Sequence, residues 1–153
     1  MTYAPTHGDG AVPPGELRIA LEVEIPSDVR YIERVVEIVR TQCAGIGFAA
    51  RHCALNVPVA LSEALSNAIL YGNNEDPGKH VRVRASLDDQ RLVLEVTDEG
   101  GGFDLERSIS DPTADENLER EDGRGLFLMK QLMDRVERFD HQGNVVRLTL
   151  NRA

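Results

Sequence analysis

At 153 residues and 41% hydrophobic content, the chain is sized for one domain around one core. Its 26 acidic against 17 basic side chains give a net charge of −9, which repels a phosphate backbone and argues against nucleic acid as a direct partner. Apolar runs are short and interrupted by charge, and residues 1–15 lack the basic-then-apolar order of a secretory leader. A cytoplasmic protein with no membrane span is expected.

Residues 1–15, rich in proline and glycine, are expected to form a flexible N-terminal arm, leaving 16–153 as the folded domain. Leu17, Ile19, Leu21, Val23 and Ile25 alternate with polar residues, the pattern of a strand with one face on a core, and Pro26 stops it. Ser27 is an N-cap candidate for a helix carrying Val29, Ile32, Val35, Val36 and Val39 at helical spacing to about Ala44. A second helix is expected from about Cys53 to Tyr71, with Pro58 as an early irregularity and Val57, Leu61, Leu65, Ala68 and Ile69 as its apolar stripe. Residues 72–79 read as a turn. Val81–Leu87 and Leu92–Val96 read as a hairpin. The polar stretch 99–122 is too long for an ordinary connection and reads as a lid. A helix over about 124–135 and strands near 136–140 and 145–150 complete the chain. This order separates helices from hairpins, which favours an α+β fold of two layers, a mixed or antiparallel sheet with helices on one face.

Cys43 and Cys53 have only His52 near them in sequence, so no four-ligand metal set assembles there, and packed reduced thiols are expected. The other histidines lack the spacing of a zinc pair.

Three short patterns can carry chemistry. Glu63 and Asn67 are four apart on the second helix, about 40° apart around its axis and roughly 5–6 Å along it, so both tips reach one point. A carboxylate there can accept a proton, and an amide oxygen can ligate a hard cation such as magnesium. The plainer alternative is a solvated polar edge. Asp98, at a strand end, is followed by Gly100, Gly101 and Gly102; the carboxylate can accept from an exocyclic amine, and the glycines let a ligand approach the main chain. A loop hinge with an acidic flank would look the same. Gly123, Arg124, Gly125 and Leu126 open a helix whose free N–H groups and positive dipole end suit a phosphate, although an ordinary glycine-rich helix start has the same composition. No Gly-Lys-Ser/Thr follows, and no strand precedes, so neither a Walker loop nor a dinucleotide fingerprint fits.

Taken in order, Glu63-x-x-x-Asn67, Asp98-x-Gly100-x-Gly102 and Gly123-x-Gly125-Leu126 resemble the N, G1 and G2 boxes of the superfamily of gyrase, heat-shock chaperones, mismatch-repair ATPases and histidine kinases. Within it, SEALSNAILYGNNEDPGK and GRGLFLMKQLMDRV look like the anti-sigma-factor serine/threonine kinases, over roughly Leu17 to Asn151. Tyr71 departs from the histidine many relatives carry before Gly-Asn. The resemblance implies a Bergerat-type ATP-binding domain over 16–153, with ATP and Mg2+ bound. It implies Asn67 as the magnesium ligand, Asp98 as the reader of the adenine amine, and Gly100, Gly102, Gly123 and Gly125 as the shape of the pocket. Glu63 would orient or deprotonate the attacking hydroxyl, Arg124 would counter phosphate charge or touch a partner, and Lys130 would be a solvated helix residue. The implied partners are a small anti-sigma-factor antagonist and a sigma factor, and the implied assembly is a homodimer. Two other readings fit the same boxes: an ATP-dependent partner switch without chemistry, and a detached histidine-kinase-type ATPase domain.

Overall fold

The computed structural model describes residues 17–100 and 122–152. The expected arm at 1–15, most of the lid reading at 99–122 and Gly102 lie outside the described residues.

Strand β1 (Arg18–Pro26) is followed by a 3-10 turn (Val29–Tyr31) and helix α1 (Ile32–Gly45). Helix α2 (Val57–Asn67) is flanked by π-helical turns at His52–Asn56 and Ala68–Gly72. Strands β2 (His80–Asp88) and β3 (Arg91–Asp98), helix α3 (Asp122–Leu132) and strands β4 (Arg135–Asp140) and β5 (Asn144–Asn151) follow. The five strands form one sheet in the order β1-β2-β3-β5-β4. Every pairing is antiparallel, which settles the mixed-or-antiparallel alternative. The fold is α+β, as expected.

Register explains the two layers. Val83 pairs with Val96 and Val96 with Val146, while Ala85 pairs with Leu94 and Leu94 with Leu148, so one face of three strands is continuously apolar. These residues are buried. The opposite face carries ion pairs, Arg82 with Glu22 at 3.0 Å and Arg147 with Glu95 at 2.8 Å. Such alternation forces the helices onto a single face, because only one face has apolar area to cover.

Helix α2 is the centre of that layer, packed against α1, α3 and β3. The helical run His52–Gly72 is 21 residues, long and apolar enough by length and composition alone to cross a membrane. Here Leu61, Leu65 and Ile69 are fully buried in the domain core, which accounts for the apolar composition without a bilayer. Pro58 stands near the start of the regular helix, after the wide π turn. A proline lacks the N–H of the ordinary ladder and crowds the carbonyl four residues back, and a π turn accommodates both.

One cap differs from expectation. Ser27 does not cap a helix: Asp28 does, its Oδ1 accepting from Arg30 N at 2.9 Å at the start of the 3-10 turn. Ser27 is buried, and its hydroxyl is spent elsewhere. Both cysteines are free and buried, with Sγ atoms 3.0 Å apart. Helix α3 starts two residues before the expected boundary and stops at Leu132, because Asp134 N already donates to Thr149 O at 2.8 Å and begins the next strand pair.

Candidate nucleotide site

The second helix delivers Glu63 and Asn67, both half-buried, to the face that meets α3. Gly125, in α3, lies directly opposite. A Cβ at Gly125 would stand 2.8 Å from Glu63 Oε1 and 3.2 Å from Asn67 Nδ2, closer than ordinary contact, so only glycine lets α3 approach both polar tips. The N-box pair and the glycine of the third box, 58 residues beyond Asn67 in sequence, therefore meet at one point. Gly123 lies in the first turn of α3. Arg124 is exposed, and Leu126 is half-buried against the core. Lys130 is exposed, as expected.

Gly72 closes the far end of the same helical run, five residues past Asn67, roughly 7 Å along the axis. Asp98 meets it there. It is 6% exposed, and its Oδ1 accepts from Gly100 N at 2.9 Å and Asn144 Nδ2 at 3.1 Å. Oδ2 faces Gly72, occupying the space a side chain at that position would need. Burial raises the Asp98 carboxyl above its ordinary pKa, and the bonds from Gly100 and Asn144 hold back part of that rise. Gly100 is equally constrained, since a Cβ there would overlap the carbonyl of Gly72. Gly143, at φ 128° in the β4–β5 turn, is backed against the Asp98 carbonyl in the same way. A buried carboxylate at a strand end, ringed by backbone with no room for other side chains, has the chemistry to accept a hydrogen bond from a polar donor such as an amine.

Sequence reasoning missed Gly72, Asn73 and Asn144 as members of this site. Gly72 after a helix reads as a C-terminal cap, yet its φ is not in the left-handed region; the residues that turn the chain there are Asn74 at φ 54° and Glu75 at φ 56°. Close approach, not backbone freedom, requires the glycine. Asn144 reads as a hairpin residue, and only the β3–β5 register, which sets it opposite Asp98, reveals its second role.

Among the described residues no group of three or more His, Cys, Asp or Glu side chains could hold a metal. Asn67 and Glu63 offer amide and carboxylate oxygens at one point, a donor set that suits a hard cation shared with a phosphate chain.

Similarity to known proteins identifies the family. Residues 25–150 match the histidine kinase-like ATPase domain family. The chain is 30% identical over 137 residues to the serine-protein kinase RsbW of Bacillus subtilis, covering 84% of this chain and 83% of that protein. It is 30% identical over 138 residues to RsbW of Bacillus cereus, covering 84% and 82%. A crystal structure of the RsbU and RsbW domains of a Mycobacterium tuberculosis protein superposes with a TM-score of 0.61 at 20% identity, over 88% of this chain and 33% of that one. That likeness speaks for the fold. The present chain spans a third of that crystallised two-domain chain. The family match over most of the chain and the similarity to these kinases over more than four-fifths of each chain place it plainly: the protein belongs to the histidine kinase-like ATPase domain family, among relatives that are serine-protein kinases of the RsbW type.

Proposed function

We propose that the protein is an ATP-dependent serine/threonine kinase that acts as an anti-sigma factor, transferring the γ-phosphoryl group to a small antagonist protein. The observation that carries this reading is the meeting of Glu63, Asn67 and Gly125 at one point, with Asp98 buried about one and a half turns further along the same helix. That layout suits a nucleotide lying along α2, base at Asp98 and phosphates toward the first turns of α3.

In this reading Asp98 accepts from the exocyclic amine of adenine. Asn67 holds magnesium through its amide oxygen, with Glu63 beside it. Magnesium, when bound, supplies neutralisation of charge on the phosphates. Helix α3 adds N–H donors from its first turn near Gly123, and Arg124 adds positive charge. Glu63 accepts the proton of the attacking serine or threonine hydroxyl. Catalysis in such a site is positioning and electrostatics more than covalent chemistry, and one base, one amide and a helix N-terminus would supply the protein's share of it beside the metal. We further propose a cytoplasmic homodimer whose partners are a sigma factor and the antagonist, with no direct role for nucleic acid or membrane.

Incubating the protein with labelled ATP and a candidate antagonist protein tests the reading. Glu63→Gln keeps shape and removes the base, so nucleotide binding should survive while transfer falls by about 10²- to 10⁴-fold. Asn67→Ala should lose both. An antagonist left unlabelled by the parent protein, with nucleotide-dependent binding intact, would indicate a partner switch instead. An acid-labile product would indicate phosphohistidine chemistry.

A further inference from the structure

We propose that Asn73 is a positioning residue for base selection, holding the peptide that follows Asp98 so that the carboxylate points at the purine edge; this rests on the reading of Asp98 as the adenine receptor. Asn73 is 1% exposed, deeper than Asp98 itself, and it touches three separate segments of the chain. Its Nδ2 donates to Ser27 Oγ at 2.9 Å and to the His80 carbonyl at 3.0 Å. Its Oδ1 accepts from Glu99 N at 2.8 Å. That nitrogen belongs to the peptide unit joining Asp98 to Glu99.

The clamp is closed on both sides. Ser27 Oγ donates onward to the Lys79 carbonyl at 2.8 Å, and Glu99 Oε2 accepts from His80 N at 2.8 Å. The strand end at 98–99 is therefore tied to the start of β2, the start of β2 to the β1–α1 junction, and all of them to Asn73. Both amide hydrogens and the amide oxygen are used. An aspartate would turn two donors into acceptors against Ser27 and the His80 carbonyl, and an apolar residue would leave buried groups unpaired.

The position of the amide makes this more than a general tie. Asn73 directly follows Gly72, whose Cα faces Asp98 Oδ2 and whose carbonyl abuts Gly100. Through Glu99 N it fixes the peptide plane after Asp98. The turn into Gly100, whose N–H holds Oδ1 at 2.9 Å, depends on that plane. Hydrogen-bond discrimination falls steeply with misalignment, so loosening this peptide should cost selectivity between bases before it costs phosphate binding.

The test compares ATP with inosine triphosphate, which replaces the exocyclic amine by a carbonyl oxygen that a carboxylate cannot accept from. Affinities for both, in magnesium, are measured by calorimetry on the full chain for the parent, Asn73→Ala and Ser27→Ala. The parent should prefer ATP by at least about tenfold. In Asn73→Ala that ratio should shrink by roughly three- to tenfold, and in Ser27→Ala, which removes one bond of the clamp, by about twofold, chiefly through weaker ATP binding. If both nucleotides weaken equally and the ratio is kept, Asn73 is a structural tie only and the proposal fails. Should Asn73→Ala not fold, Ser27→Ala decides by the same criterion. A parent that does not distinguish the two nucleotides overturns the reading of Asp98 and the Asn73 proposal with it.

Discussion

Replacing Asp98 with Asn separates recognition from stability at one atom. The oxygen Oδ1 accepts from Gly100 N and Asn144 Nδ2, and an amide oxygen can accept both bonds in the same place. What changes is the other atom, where an acceptor facing Gly72 becomes an NH2, and the buried charge disappears. The sign follows from the direction of the carboxyl's shift. The folded protein holds the Asp98 proton more tightly than the unfolded chain does, because burial disfavours the charged form. The associated stability is complete below the unfolded carboxyl's pKa and is lost as pH rises through the folded value. At neutral pH the parent carries that penalty and Asp98→Asn does not. The nucleotide-free variant should therefore melt higher, by roughly 2–4 °C for each kcal/mol of desolvation relieved in a chain of this size. Its advantage should shrink as pH falls toward the ordinary carboxyl range. Binding should move the other way. A hydrogen bond to a charged acceptor contributes about 1.5–3 kcal/mol, so losing it should weaken ATP by roughly ten- to 150-fold. Differential scanning calorimetry at pH 7 and pH 4, with isothermal titration of magnesium–ATP, reads both arms. A variant that binds ATP like the parent, or that melts lower without ligand, would refute this account of Asp98.

Gly125→Ala places a methyl 2.8 Å from Glu63 Oε1 and 3.2 Å from Asn67 Nδ2; single-turnover transfer should fall by about tenfold or more as the two tips are pushed off line, with little change in melting temperature. Gly72→Ala drives a methyl into the Asp98 carboxylate, and urea unfolding should show a loss of about 1–3 kcal/mol, the range for overpacking a filled site. The Cys43 thiol, buried beside Cys53, is pushed from 9.0 up to about 12, chiefly by desolvation. Native protein at pH 8 should therefore resist alkylation at Cys43 until it is unfolded. Because the unfolded thiol ionises first, parent stability should decline from about pH 9 toward pH 12 more steeply than that of Cys43→Ala, as read by urea midpoints across that range.

The legible parts of this fold are those set by neighbours in sequence. The alternation Leu17 to Ile25 marks β1, with the observed strand at Arg18–Pro26, and the hairpin of β2 and β3 matches its pattern to within one or two residues at each end. The four-residue spacing of Glu63 and Asn67 places them on one helical face, and they meet Gly125. What stays hidden is whatever depends on partners far along the chain. Asn73 and Glu99 are 26 residues apart, and Asn144 and Asp98 are 46 apart. Their roles arise only when the sheet register sets β5 against β3 and brings the end of α2 to the end of β3. Ser27 is the clearest local error. Serine before a helical pattern reads as a cap, but tertiary hydrogen bonds to Lys79 and Asn73 claim its hydroxyl, and Asp28 takes the capping role one residue later.

The two ends of the candidate site are built differently. The Asp98 end draws on four segments, at Ser27, Gly72–Asn73, Asp98–Gly100 and Gly143–Asn144, and its bonds are complete without any nucleotide. Preorganised donors and acceptors of this kind need no rearrangement to bind. The Glu63–Asn67 end draws on one helix and depends for its third side on how closely α3 approaches. Helix α3 is anchored at its C-terminal half, where Met129 and Met133 are buried and Asn56 Nδ2 donates to the Leu132 carbonyl at 2.7 Å. Gly125 lies toward the other end, ahead of those anchors, while Phe127 on the same stretch is 61% exposed. Substitutions at the two ends should accordingly act on different quantities, affinity at Asp98 and rate at Glu63 and Gly125.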